Sequence, residues 1–263
     1  EGKWQADFGP FESYDHLGER DWSLVLQALD HWSEDAAKLI EPFRFIPNWR
    51  LDDIMASFAT PGGGVGPHID LYDVFICQGS GMRSWRVGDK GEHKQFAAHS
   101  ALLHVEAFDP IIEVDLEPGD ILYIPPGFPH DGTTNENSLS FSVGFRTNST
   151  ANLASGIADY LIDAELGNEM IEDLDRKIAV NSGAIDTEDY ALIKGQMQQL
   201  LNNDELFRNF AGSYLTQSKH ELDLVACVTS AGTYDLNRFR FTVVTKTAGG
   251  KKDAAAVEYR FAS

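Results

Sequence analysis

Between Leu51 and about Phe145 the apolar positions fall in short β-prone runs, "IMASFA", "YDVFICQG", "RSWRVG", "IIEVDLEPGDILYIPPGFPH" and "LSFSVGFR", punctuated by Gly, Pro and Asp. Short runs at close spacing with turn residues between them predict a β-sandwich or barrel. The preceding stretch is patterned differently. Trp22, Val25, Leu26, Leu29, Trp32, Ala36, Leu39 and Ile40 recur at three- and four-residue steps, which predicts an amphipathic helix from Asp21 to Phe43 with Asp21 as its N-cap and Pro42 near its end. After "TNSTAN" the helical period returns in "LASGIADYLIDAEL", "TEDYALIKGQMQQLL" and "NDELFRNFAGSYLTQSKHEL". The last segment, "FRFTVVTKTAGGKKDAAAVEYRF", alternates about a "GGKK" turn and predicts a hairpin. The expected fold class is therefore mainly β with flanking helices.

Composition narrows the function classes. A chain of 263 residues with 43% hydrophobic and 11% aromatic content can bury a full core and is globular. Its formal charge of −20 repels phosphate backbones, which excludes direct nucleic-acid binding, and favours either mere solubility or a basic partner. No apolar run approaches membrane-spanning length, and "EGKWQADFGPFESYDH" lacks the basic start and apolar stretch of a signal peptide, so a cytoplasmic location is expected. Cys77 and Cys227 lie far apart without CxxC spacing and read as two reduced thiols.

The stretch "PGGGVGPHIDLYDVF" is loose and then stiff around one histidine and one carboxylate. Glycines let the backbone turn where side chains would clash, and a following strand holds its residues rigidly. In a strand, residues two apart share a face, so His68 and Asp70 project together. A third ligand comes from "GDILYIPPGFPHDG", which presents His130 after a Pro/Gly turn; the separation, 130 − 68 = 62 residues, leaves room for the strands that return it beside the first. Two imidazoles and one carboxylate on one face of a metal leave positions open, an arrangement suited to Fe(II) that must bind a co-substrate and O2. Each half is weak alone, since a surface strand can carry two polar residues; together with the glycine run they are specific. The six other histidines lack ligand spacing and read as structural or solvent-facing: His93, His99 and His104 fall in a charged connection expected to be exposed, and His16, His31 and His220 in helical or loop surroundings.

The blocks "PGGGVGPHIDLYDVFICQGSGMRSWRVG" and "LEPGDILYIPPGFPHDG" resemble the JmjC-type 2-oxoglutarate oxygenases, and within them the bacterial ribosomal oxygenases, which are protein arginine hydroxylases of the cupin fold. The resemblance runs from "FGPFESYDHLGERDWSLVLQALDHW" to "QSKHEL". It implies a double-stranded β-helix catalytic domain over 1–150, a helical dimerisation region over 151–222 and a winged-helix-like module over 223–263. Past Leu224 the pattern departs from the family, so that module is expected to be incomplete. The implied activity is Fe(II)- and 2-oxoglutarate-dependent hydroxylation of an arginine in large-subunit ribosomal protein sixteen, with succinate and CO2 as co-products. The implied partners are that basic protein and a second copy of the chain, with no nucleic acid and no membrane.

Such an oxygenase needs a cation for the distal carboxylate of 2-oxoglutarate. Arg83 is the candidate the resemblance indicates. Its rival Arg86 lies three residues on and so points to the opposite face of a regular strand. Ser138 or Ser140 is placed to add a hydroxyl. For a substrate arginine, which needs a carboxylate for its guanidinium and an apolar or aromatic wall for its stem, the candidates are Asp53, Met55 and Tyr72. Two rival readings remain open at this point: a cupin metalloenzyme acting on a small molecule without 2-oxoglutarate, and a ribosome-docking protein with a relic metal site.

Overall fold

The computed structural model describes residues 3–9, 11, 13–99, 102–174, 176–217, 219 and 241–247. These fall into two compact units, one running to Thr147 and including Phe241–Thr247, the other from Asn148 to Lys219.

The first unit is built from two antiparallel sheets. One holds β1 (Lys3–Phe8), β2 (Trp22–Leu26), β3 (Leu51–Ala59), β5 (Asp73–Ser80), β10 (Ile121–Ile124), β12 (Ser138–Phe145) and β13 (Phe241–Thr247), in the order β1-β13-β2-β3-β12-β5-β10. The other holds β4 (His68–Ile69), β6 (Arg83–Gly88), β7 (Gln95–His99), β8 (Leu102–Val105), β9 (Pro110–Leu116) and β11 (Pro129–Thr133), in the order β7-β8-β4-β11-β6-β9. Strands β3 to β6, and again β9 to β12, alternate between the two sheets, the winding of a double-stranded β-helix.

Alternation along β3 and β12 decides where the core and the cavity lie. Ile54, Val143 and Phe145 are buried on the outer face, where they pack with Ile40 and Phe43. Each such side chain contributes about 1.5–3 kcal/mol by leaving water. The inner face carries Asp53, Met55 and Ser57 on β3 and Ser140 and Ser142 on β12, all lining a cavity between the sheets. The run "SLSFSV" is therefore polar toward the barrel interior and apolar toward the outer layer, the reverse of a surface strand. A second cluster closes the barrel from inside, with Val74 and Ile76 of β5 against Trp85 and Val87 of β6, Leu116 and Ile124.

The outer layer differs from the helix expected over Asp21–Phe43. Trp22–Leu26 is strand β2, paired with β3 from Ser23↔Ala59 to Leu26↔Ala56, and the helix α1 is confined to Glu34–Lys38. Its N-cap is Ser33, whose hydroxyl accepts from the Ala36 N–H, whereas Asp21, at φ +64, leads directly into strand β2 and caps no helix. The apolar residues at helical steps are satisfied by a strand followed by single helical turns, because pairing with β3 outweighs local propensity.

The second unit contains α2 (Thr150–Asp163), α3 (Thr187–Leu201) and α4 (Asp204–Leu215), as the three periodic runs predict. Side chains of Ser149, Asp186 and Asn203 accept from the first-turn N–H groups of these helices. No helix among the described residues is long and apolar enough to cross a membrane. Of the expected hairpin and C-terminal module over 223–263, Phe241–Thr247 is a strand paired with β1 and β2, and the other residues lie outside those described.

Candidate metal centre

The two histidines meet because β4 and β11 are antiparallel neighbours in which His68 stands directly opposite His130. The strand β4 is only two residues long, so Asp70 lies just beyond it rather than within it. Its carbonyl accepts from the Gly127 N–H at 2.8 Å, which ties the end of β4 to the turn before β11 and keeps the carboxylate on the histidines' side. Gly66 precedes this strand with φ +80, and a Cβ on Gly64 would stand 2.5 Å from the Gly132 carbonyl oxygen. The glycine run is thus required both for a left-handed turn and for close contact with the strand bearing His130.

One ligand atom from each of His68, Asp70 and His130 lies within 4.8 Å of the others. Nδ1 of His68 is 2.8 Å from the Gly66 carbonyl and Nδ1 of His130 is 3.0 Å from that of Phe128. A carbonyl only accepts, so both Nδ1 atoms carry hydrogen and both Nε2 lone pairs are left for the centre. Those Nε2 atoms are 4.0 Å and 3.6 Å from Asp70 Oδ2. Burial, aided by the nearby His130, pushes His68 down to about 4, so its ring is neutral at pH 7. Burial alone would raise Asp70, but the adjacent imidazoles of His130 and His68 outweigh it and hold its carboxyl below the usual range. Two imidazoles that turn Nε2 toward one point and one carboxylate beside them fit a divalent first-row metal with open positions.

The centre lines a cavity of about 200 Å³ that also takes in Asp53, Met55, Tyr72, Arg83, Trp85 and Ser140. Arg83 is 3% exposed. It donates to the hydroxyls of Ser138 (2.9 Å) and Ser57 (3.0 Å) and to both residues' carbonyls, and no carboxylate pairs with it among the described residues. Burial pulls its guanidinium down to about 10, still charged at pH 7. Arg86 points outward as strand parity requires, pairing Glu113 at 3.3 Å and lying over Phe108. Of the two candidate serines, Ser138 meets Arg83, whereas Ser140 donates to Gln78 Oε1 at 2.7 Å.

Asp53 is 3% exposed and accepts from the Ala28 N–H at 2.8 Å, while Met55 and Tyr72 flank it in the cavity wall. Burial raises the Tyr72 phenol, and nearby Asp70 and Asp53 add to the shift, so the hydroxyl stays protonated. The sequence reading missed Ser57, Trp85, Asp52 and Arg146. Strand parity from Asp53 and Met55 reaches Ser57, and parity from Ser138 and Ser140 reaches Arg146. His104, expected in an exposed connection, is instead 1% exposed on β8, opposite His68, with Nε2 3.0 Å from the Val65 carbonyl. The close packing of β8 on the glycine run buries it in a structural role.

A double-stranded β-helix with a buried His, Asp, His centre and a buried arginine in the same cavity defines a JmjC-type cupin. Residues 38–153, which contain all three candidate ligands, match the family model of the JmjC domain. The chain is 51% identical over 224 residues to the Escherichia coli ribosomal protein uL16 3-hydroxylase, covering 85% of this chain and 60% of that protein. It is 39% identical over 159 residues to a probable ribosomal oxygenase of Haemophilus influenzae, covering 59% of this chain and 39% of that one. The crystal structure of Escherichia coli YcfD superposes with a TM-score of 0.79 at 46% identity, over 89% of this chain and 66% of that one. YcfD in complex with cobalt and 2-oxoglutarate gives 0.76 at 46% identity, over 85% and 62%. The chain thus carries a match to the JmjC domain, is similar to the bacterial ribosomal oxygenases, and spans about 60% of the length of the Escherichia coli relative.

Proposed function

We propose that the chain is an Fe(II)- and 2-oxoglutarate-dependent hydroxylase of an arginine in the basic ribosomal protein uL16. The observation that carries this reading is Arg83, a buried cation with only neutral partners among the described residues, in the same cavity as the His68, Asp70 and His130 donors. Such a cation calls for an anionic ligand. The relatives support the choice: YcfD is known in complex with cobalt and 2-oxoglutarate and with cobalt and succinic acid, and the Escherichia coli relative is named for uL16.

His68, Asp70 and His130 would hold the iron, which when bound couples decarboxylation of 2-oxoglutarate to succinate and CO2 with transfer of one oxygen of O2 into a C–H bond. Arg83, with the Ser57 and Ser138 hydroxyls, pairs the far carboxylate of 2-oxoglutarate and fixes its direction. Asp53 pairs the substrate guanidinium, while Met55 and the Tyr72 ring wall its stem and hold the target carbon near the centre. Trp85, buried with its ring 6.1 Å from that of His130, helps to exclude water. The charge of −20 draws a basic ribosomal protein toward the acidic surface. We further assign the protein to the cytoplasm, where such a substrate is made, and the helical unit from Asn148 to Lys219 to homodimer formation.

The test is aerobic incubation with ferrous iron, 2-oxoglutarate, ascorbate and a uL16 fragment. A gain of about 16 Da on an arginine, absent with Asp70→Ala, is expected because the carboxylate ligand is needed for metal chemistry. Succinate without a modified peptide would sink the substrate. Neither product would favour the small-molecule or docking readings.

A further inference from the structure

Arg146 follows β12 in the same inward row as Ser138, Ser140 and Ser142, and it lines the cavity at its open end, with 56% of its side chain exposed. Its backbone is clamped on both sides by Arg50. The Arg146 N–H donates to the Arg50 carbonyl at 2.7 Å, and Arg50 Nε donates to the Arg146 carbonyl at 3.2 Å. Arg50 is itself held by Asp73 at 2.7 Å. From this fixed stem the guanidinium reaches Asp52, a side chain only 4% exposed, at 2.5 Å, and lies 5.5 Å above the Tyr72 ring centroid. That distance is within cation–π range.

We infer that Arg146 is a positioning and specificity-determining residue: it orients the Tyr72 ring and balances the buried Asp52, so that the open end offers one net negative charge to an incoming guanidinium. The inference rests on the arginine-hydroxylase reading and deepens it. Asp52, Asp53 and Arg146 together carry a net charge of −1, the complement of one arginine. Neutralising Asp52 alone leaves Arg146 to repel the substrate. Removing Arg146 alone leaves Tyr72 uncovered and a buried carboxylate without its cation.

The experiment measures KM and kcat for an arginine peptide, and the inhibition constant of the same peptide with citrulline in place of arginine, for the wild type and four variants. Asp52→Asn is expected to raise KM for the arginine peptide about tenfold, with the change on KM rather than kcat, and to leave inhibition by the neutral citrulline peptide within about twofold. Arg146→Met raises KM by a similar factor, Arg146→Lys recovers most of it by keeping the charge, and Asp52→Asn/Arg146→Met recovers part of it by restoring the net −1. The double variant also answers for folding, since it removes the Asp52 carboxylate together with the guanidinium that pairs it. Equal weakening of both peptides by Asp52→Asn, or an Arg146→Lys variant as poor as Arg146→Met, would mean a merely structural role and overturn the inference. An active wild type with an unmoved KM in Asp52→Asn overturns it too while sparing the hydroxylase reading. A wild type that modifies no arginine peptide sinks both.

Discussion

The two ends of the barrel cavity carry opposite charges in opposite settings. Arg83, 3% exposed, is bonded to hydroxyls and carbonyls of Ser57 and Ser138. Asp52 and Asp53 are as deeply buried, but one is paired with the half-exposed Arg146 and the other with the Ala28 N–H. The first end keeps a buried charge with no counter-charge among the described residues, which suits a small anion that can enter and leave whole. The second balances its charges at a solvent-facing rim, which suits a long cationic side chain arriving on a macromolecule. On the proposed function, an anion-binding end at Arg83 and a cation-binding end at Asp52 and Asp53 would orient two different molecules without confusing them.

The sharpest way to break this division is Arg83→Met. Removing a cation that pairs a desolvated carboxylate costs about 2–5 kcal/mol, so KM for 2-oxoglutarate is expected to rise about a thousandfold, while peptide affinity measured by fluorescence anisotropy changes far less. Loss of both affinities together would show that the two ends are not independent.

The next effect concerns the donors between the ends. Burial holds His68 near 4, below the ordinary value of 6.5, so the folded metal-free protein binds fewer protons than the unfolded chain between those pH values. The stabilisation is complete above pH 6.5 and is lost as pH falls toward 4, roughly 3 kcal/mol across the window. Urea midpoints of chelator-treated protein at pH 7, 6 and 5 check this, with a flatter profile expected for His68→Gln.

At the acidic end Asp53→Asn keeps an oxygen for the Ala28 N–H but loses the charge. It is expected to raise the peptide KM about thirtyfold, as for a lost hydrogen bond to a charged group worth about 2 kcal/mol, with the change on the peptide and not on 2-oxoglutarate. Steady-state kinetics with each substrate varied in turn distinguishes the two. The smallest effect is expected at Arg86→Ala. Its pair with Glu113 is exposed, so thermal melting should report a change of about 0.5 kcal/mol or less, and activity should hold.

Legibility in the sequence followed the range of the forces involved. The candidate site residues were readable because short-range rules act on them: glycines that turn the chain before His68, a Pro/Gly turn before His130, and parity that separates Arg83 from Arg86. Ser57 was not readable, because in "MASFA" a small hydroxyl looks like filler until β12 pairs with β3 and sets it against Arg83. The region from Asp21 to Phe43 misled because its three- and four-residue steps also describe a strand followed by isolated turns. Only the ladder from Ser23↔Ala59 to Leu26↔Ala56 chooses between them. His104 misled for a related reason, since charged neighbours along the chain do not tell which residues the β4–β8 pair buries.

By itself, then, the sequence determined the chemistry available to this protein: two imidazoles and a carboxylate introduced by rigid turns, a strand arginine of the right parity, and an acidic surface. Those properties are local, or are sums over the chain, and do not depend on which strands are neighbours. The tertiary structure alone decided that His68 faces His130, that Ser57 and Ser138 cradle Arg83, and that Arg146 crosses Tyr72 to reach Asp52. Each of these joins positions brought together only when the two sheets close on each other, where hydrogen-bond registers and the burial of Ile54, Val143 and Phe145 select one pairing from many.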